Sequence, residues 1–119
     1  MKVVTSVIQN KYLRVKTLNY GSSLYEVYHK LKKTNLILNL GSKKNYKFKN
    51  FSVGATCGRF AGRISNSKFF IGKKKFPLSK NEGNNTLHGG KRGFSIIPWK
   101  KIKKTKDQVI YQIRSKELD

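Results

Sequence analysis

Carboxylates are scarce in this 119-residue sequence: five Asp and Glu stand against 27 Lys and Arg, a formal charge of +22. Cysteine is nearly absent too. With Cys57 alone no intrachain disulfide forms, nothing points to an oxidising compartment, and a cytoplasmic location is expected. One cysteine and two distant histidines, His29 and His88, offer no cluster of three or four ligands, so no metal site is expected. The opening residues, MKVVTSV, carry one cation and no long apolar run, which suits a strand better than a signal peptide. No stretch reaches the roughly 20 apolar residues of a membrane helix, and no membrane partner is expected. Also missing is any amphipathic pattern long enough for an ordinary helix.

What is present is apolar enough to fold, because 37% hydrophobic and 12% aromatic residues lift the chain out of the disordered class. Its length corresponds to one domain or part of one. The charge would draw any polyanion. The cations are 22 lysines and 5 arginines, spread over every segment. That distribution fits either a polyanion site or A/T-rich codons acting on a surface that tolerates solvated charge. The second reading explains lysine over arginine but not the scarcity of carboxylates.

The regular structure reads as β. Residues 3–8 and 12–18 are β-branched, aromatic or alternating, and Asn19-Tyr20-Gly21 closes the second run with a turn. Residues 24–29 and 35–40 repeat the pattern across a polar break, giving a meander in the first third. Residues 43–50 show no clear period. Gly54, Gly58 and Gly62 in "FSVGATCGRFAGRI" argue for a loop with one helical turn at most, since each glycine costs a helix about 1 kcal/mol relative to alanine. Residues 68–71 and 76–78 flank a turn at 72–75, and Pro77 belongs on an edge. A long polar loop covers 79–93, and residues 96–102 and 108–113 form two more strands, the last with Val109, Tyr111 and Ile113 on one face. About eight short strands with long glycine-rich connections predict an all-β sandwich or barrel.

Several motifs fail on inspection. Gly83 and Gly89 do not frame a phosphate-binding loop, since Lys91 is followed by Arg92, and Gly89-Gly90-Lys91-Arg92-Gly93 is not a dinucleotide fingerprint. Cys57 reads as a small apolar residue and His29 as part of a strand. Net charge gives weight to RNA binding, because residues 92–99, RGFSIIPW, loosely match the ribonucleoprotein octamer. Yet Ile96 stands where an aromatic belongs, Pro98 would break a central strand, and the two helices of that fold are missing.

The stretch "NNTLHGGKRGF" places His88 directly before Gly89 and Gly90, a composition that exposes a polar side chain and lets backbone approach a ligand. Together, "GATCGRFAGRISNSKFFIGKKKFPL" and "NEGNNTLHGGKRGFSIIPW" resemble the aldose 1-epimerase (galactose mutarotase) family. Its pattern G-A-x-x-G-R-x-x-x-R-I-x-x-x-x-F, then N-x-L-H-G-G-x-x-G-F and a tryptophan, is met in register by Gly54, Ala55, Gly58, Arg59, Arg63, Ile64, Phe69, Asn85, Leu87, His88, Gly89, Gly90, Gly93, Phe94 and Trp99. "LNYGSSLYEVYHK" and "NLILNLG" resemble the family's opening strands.

The resemblance implies a galactose mutarotase-like β-sandwich that interconverts the α and β anomers of an aldose such as glucose or galactose. In that chemistry a base takes the anomeric hydroxyl proton and an acid protonates the ring oxygen, opening the ring for rotation about C1–C2. Carried over by position, Arg63 and His88 contact the sugar. Gly62 stands where many members have asparagine, so a side-chain amide contact is lost there. The family's acid histidine, substrate aspartate and base glutamate come from later segments. Residues 1–119 are therefore expected to be the N-terminal part of one such domain, with no catalytic residue of their own. Neither metal nor organic cofactor is implied. The expected partner is an aldose, with no specific nucleic acid, and nothing indicates an oligomeric state.

Overall fold

The computed structural model describes residues 2–48 and 52–115. Strands β1 (Thr5–Gln9), β2 (Leu13–Leu18), β3 (Ser23–His29) and β4 (Thr34–Asn35) pair antiparallel in chain order, as the expected meander does. Asn10 turns β1 into β2, its Oδ1 accepting the N–H groups of Tyr12 and Leu13 at 2.8 Å each. On one face Glu26 sits across from Lys16 and accepts from both Arg14 Nε at 2.9 Å and Lys16 Nζ at 3.0 Å. The cross-strand row Ile8, Val15 and Val27 forms part of the opposite face.

The expected strand at 35–40 shrinks to Thr34–Asn35: after the Leu36 N–H, which donates to the Val27 carbonyl at 2.8 Å, asparagine amides share the edge of β3 with backbone. Asn35 Oδ1 accepts the Val27 N–H at 3.0 Å and Asn39 Nδ2 donates to the Tyr25 carbonyl at 3.1 Å. Short side-chain amides compete with the ladder in this way. A single helical turn, α1 (Asn45–Phe48), falls in the aperiodic stretch; residues 49–51 of that region lie outside the described residues. Residues 52–62 form a loop without a helical turn.

Strands β6 (Lys68–Ile71) and β7 (Lys74–Pro77) make the expected hairpin, with a turn of two residues, Gly72 and Lys73, rather than four. The strand expected at 96–102 begins late. Phe94–Ile96 is a 3-10 turn, and residues 97–99 reach back to the meander: Gly21 N–H donates to the Ile97 carbonyl at 2.9 Å and Trp99 N–H to the Asn19 carbonyl at 2.7 Å. Pro98, lacking an N–H, makes only an isolated bridge with Tyr20. The ladder starts beyond it, as β9 (Lys100–Lys104) against β10 (Val109–Gln112). Val109, Tyr111 and Ile113 are half-buried while Ile110 and Gln112 are exposed, as their alternation predicts. Two further strands, β5 (Arg63–Ile64) and β8 (Thr86–Leu87), bring the number among the described residues to ten.

The hairpin of β9 and β10 lies over the meander, joined by the Thr17 Oγ1 to Tyr111 Oη hydrogen bond at 2.9 Å. The buried apolar cluster is small: Leu18, Val3 and Tyr46, with Tyr20, Tyr25 and Leu40 packed against it. Leu31 is 75% and Leu38 87% exposed. The radius of gyration, 16.4 Å, exceeds the roughly 13.5 Å of a compact domain of this length, so the hairpins extend along the molecule without closing one shared core. No helix among the described residues is long and apolar enough to cross a membrane.

Candidate functional site

Strand β5, with Gly62 just before it, brings two of the candidate residues to the 79–93 loop that carries the third. Arg63 is the register partner of Leu87 and Ile64 of Thr86. One position further along this antiparallel pair, His88 N–H donates to the Gly62 carbonyl at 3.0 Å, and Gly62 N–H donates to His88 Nδ1 at 3.1 Å. The imidazole thus stands where a backbone carbonyl would complete a regular pair. Gly62 and Arg63 thus share one short ladder with the distant His88.

Each is shaped by its local backbone. His88 has φ of +48°, a conformation uncommon for a residue with a side chain, though histidine adopts it more readily than most. Gly62 has φ of +74° with open space where a Cβ would lie. Gly89 is there for packing: a Cβ on it would run into the Gly58 carbonyl. That same carbonyl accepts the Phe94 N–H at 2.8 Å, and Phe94 in turn stands edge-on to Trp99, whose Nε1–H donates to its carbonyl at 3.0 Å. The motif glycines let two loops touch, and the touching loops aim His88.

The 79–93 loop is polar but closely folded. Asn81 clamps Leu87, its Oδ1 accepting the Leu87 N–H at 2.7 Å and its Nδ2 donating to the Leu87 carbonyl at 2.8 Å. Asn85 N–H donates to the Glu82 carbonyl at 2.9 Å, and Asn85 Oδ1 accepts from Asn66 N–H at 3.2 Å. Thr86 is buried, its hydroxyl donating to the Ser79 carbonyl. Glu82 faces Arg63 fork to fork: Nε–H donates to Oε2, and Nη2–H donates to Oε1 at 2.6 Å. These hydrogen bonds hold the Glu82 carboxyl below its ordinary range and raise Arg63 above its own, with His88 adding to the shift on Glu82.

Chemically, this arrangement offers donors. Because His88 Nδ1 accepts from Gly62, the proton of the neutral ring sits on Nε2, leaving that N–H as a donor. Arg63, whose side chain is 62% exposed, keeps three of its five N–H groups outside the pair with Glu82. A cavity of about 200 Å³ lined by Val4, Ser6, Asn19, Trp99, Lys101 and Tyr111 lies elsewhere and includes none of these groups. No group of three or more His, Cys, Asp or Glu among the described residues could hold a metal ion. Sequence reasoning missed Asn81 and Glu82, although both sit at the head of the N-E-G-N-N-T-L-H stretch it singled out.

The ribonucleoprotein likeness does not survive. Its octamer needs a central strand, whereas Gly90–Arg92 and Phe94–Ile96 are successive 3-10 turns. A family model described as aldose 1-epimerase matches residues 4–119. The chain belongs to the aldose 1-epimerase family. This family member is 33% identical over 95 residues to the galactose mutarotase of Sus scrofa, covering 77% of the chain and 28% of that protein. The GalM/aldose epimerase homologue from C. elegans superposes with a TM-score of 0.87 at 27% identity, over 96% of the chain and 36% of the other. Galactose 1-epimerase from Lactobacillus acidophilus gives 0.73 at 33% identity, over 83% and 29%. The chain spans about a third of the length of these aldose 1-epimerase relatives. Its fold is all-β and resembles the galactose mutarotase sandwich, as expected.

Proposed function

We propose that this chain is the sugar-binding, N-terminal part of an aldose 1-epimerase, with Arg63 and His88 contacting an aldose such as galactose or glucose. The observation that carries the reading is the short ladder that pairs Arg63 with Leu87 and Gly62 with His88, which puts an exposed guanidinium and a half-buried imidazole at successive positions of one antiparallel pair. Planar, directional donors of this kind suit the closely spaced hydroxyl and ring oxygens of a pyranose. Membership of the family supports the substrate class and the reaction.

Anomer exchange needs a base for the anomeric hydroxyl proton and an acid for the ring oxygen. The C1–O5 bond breaks, C1–C2 rotates, and reclosure returns both protons. Neither Arg63 nor His88 is free to act as the base. A guanidinium does not give up its proton in proteins, and the one acceptor nitrogen of His88 is occupied by Gly62. The other described histidine, His29, belongs to β3 and accepts from Lys32 N–H. Of the described carboxylates, Glu26 is held by Arg14 and Lys16, Glu82 by Arg63, and Asp107 accepts from Thr105. These contacts support a role for the described residues in holding the sugar rather than in turning it over.

Polarimetry on freshly dissolved α-D-galactose and α-D-glucose tests both halves. The chain leaves the spontaneous rate unchanged while binding the sugar at equilibrium, and Arg63→Ala abolishes the binding. Acceleration that Arg63→Ala removes would show that the acid and base lie within the chain after all.

A further inference from the structure

We infer that Glu82 is a positioning residue for Arg63, fixing the guanidinium plane so that its remaining N–H groups meet sugar oxygens beside the His88 Nε2–H. The inference rests on the sugar-binding reading above and adds a residue to it. Its basis is the way one loop supplies every part of the arrangement. The 79–93 loop carries His88 itself, the Asn81 amide that clamps both backbone groups of Leu87, and the Glu82 carboxylate that grips Arg63. Leu87 is in turn the register partner of Arg63, so the backbone beneath the arginine and the head of its side chain are set by adjacent residues, 81 and 82.

The Glu82 backbone is itself anchored. The N–H groups of Asn81 and Glu82 both donate to the Asn85 carbonyl, and Asn85 N–H returns a bond to Glu82. That turn fixes where the carboxylate projects. Its grip on Arg63 uses Nε–H and one Nη2–H, which leaves both Nη1–H groups and the other Nη2–H outside the pair.

Stability does not account for the pair. An ion pair as exposed as this one, with side chains 62% and 34% accessible, adds little to folding. What a two-point contact does supply is orientation. A free arginine carries several rotamers to any ligand, and immobilising it on binding weakens affinity about three- to tenfold. Glu82 settles that orientation before the sugar arrives, and its charge keeps the contact in place at neutral pH.

The test is an NMR titration of the full 119-residue chain with D-galactose, comparing wild type with Glu82→Gln and Glu82→Asp. The side-chain Nε–H signal of Arg63 is followed beside the backbone amides. In the wild type that signal is slowly exchanging and sharp. Glu82→Gln broadens it, leaves the amide spectrum folded, and weakens galactose binding about three- to tenfold, while Glu82→Asp, which keeps the charge, recovers part of both. Binding by Glu82→Gln equal to wild type, with the Nε–H signal broadened, would overturn the positioning role and leave the sugar-binding reading intact. Tighter binding would mean that Glu82 occludes Arg63 and would overturn it too. A wild-type chain that ignores galactose refutes the sugar-binding reading for that sugar and this inference with it. Should Glu82→Gln unfold, Glu82→Asp decides: a sharp Nε–H signal with near-wild-type affinity supports the role, and a broadened signal with unchanged affinity overturns it.

Discussion

Two glycines of the site, both at positive φ, should respond very differently to the same added methyl group. Gly62 has φ of +74° and nothing within 4 Å of where its Cβ would lie, so Gly62→Ala costs only the left-handed backbone penalty, about 1–2 kcal/mol. Gly89, at φ of +88°, carries the same penalty, but its Cβ would press into the Gly58 carbonyl. That oxygen accepts the Phe94 N–H at 2.8 Å, and displacing it leaves a partly buried pair broken, for roughly a further 1–3 kcal/mol. Gly89→Ala should therefore cost about 2–5 kcal/mol in all, a large share of the 5–15 kcal/mol that holds an ordinary domain together. Urea unfolding followed by Trp99 fluorescence reads the difference, since the indole N–H is bonded to the Phe94 carbonyl beside the affected contact. Midpoints for the two variants that agree within about 0.5 kcal/mol would refute the claim that Gly89 is there for close approach and not for its φ alone.

Other consequences follow from the same contacts. Gly62→Asn should be milder than Gly62→Ala, because asparagine visits the left-handed region and the space is open; equal urea midpoints would contradict this. Leu18→Ala removes the one fully buried residue of the small core cluster and should cost about 2–5 kcal/mol, read by calorimetry or urea. Burial acts to raise the Glu26 carboxyl, but hydrogen bonds from Lys16 and Arg14 outweigh it and leave it below its ordinary value of 4.5. Its contribution to stability is then complete above pH 4.5 and lost as pH falls through the lower folded value. The unfolding midpoint of Glu26→Gln should accordingly fall less between pH 5 and pH 3 than that of the wild type.

The strands were legible where alternation set one face against another. Val109, Tyr111 and Ile113 are half-buried for the reason their spacing suggested, and the meander runs through the β-branched stretches. Legibility failed where side chains replaced backbone. Asn35 and Asn39 look harmless in a run of leucines, yet their amides take the Val27 N–H and the Tyr25 carbonyl of β3, and the backbone ladder goes no further than Leu36. Pro98 lacks the N–H that a ladder needs, so the strand expected over 96–102 begins only at Lys100. For the site, Arg63, His88 and Gly62 were reached through motif register, and the ladder between them then follows from antiparallel pairing of two-residue strands, too short to detect by periodicity. Glu82 escaped because a glutamate in a polar loop looks like solvent-facing charge until its loop folds back on Arg63.

The most direct test of the account is where an aldose touches the chain. In a titration of the uniformly labelled protein with D-galactose and D-glucose, the amide signals of Gly62, Arg63, Leu87, His88 and Gly89 should move together, and Arg63→Ala should silence them. Shifts confined to the cavity of Val4, Ser6 and Tyr111, or shifts that survive Arg63→Ala unchanged, would contradict the assignment of Arg63 and His88 to the sugar.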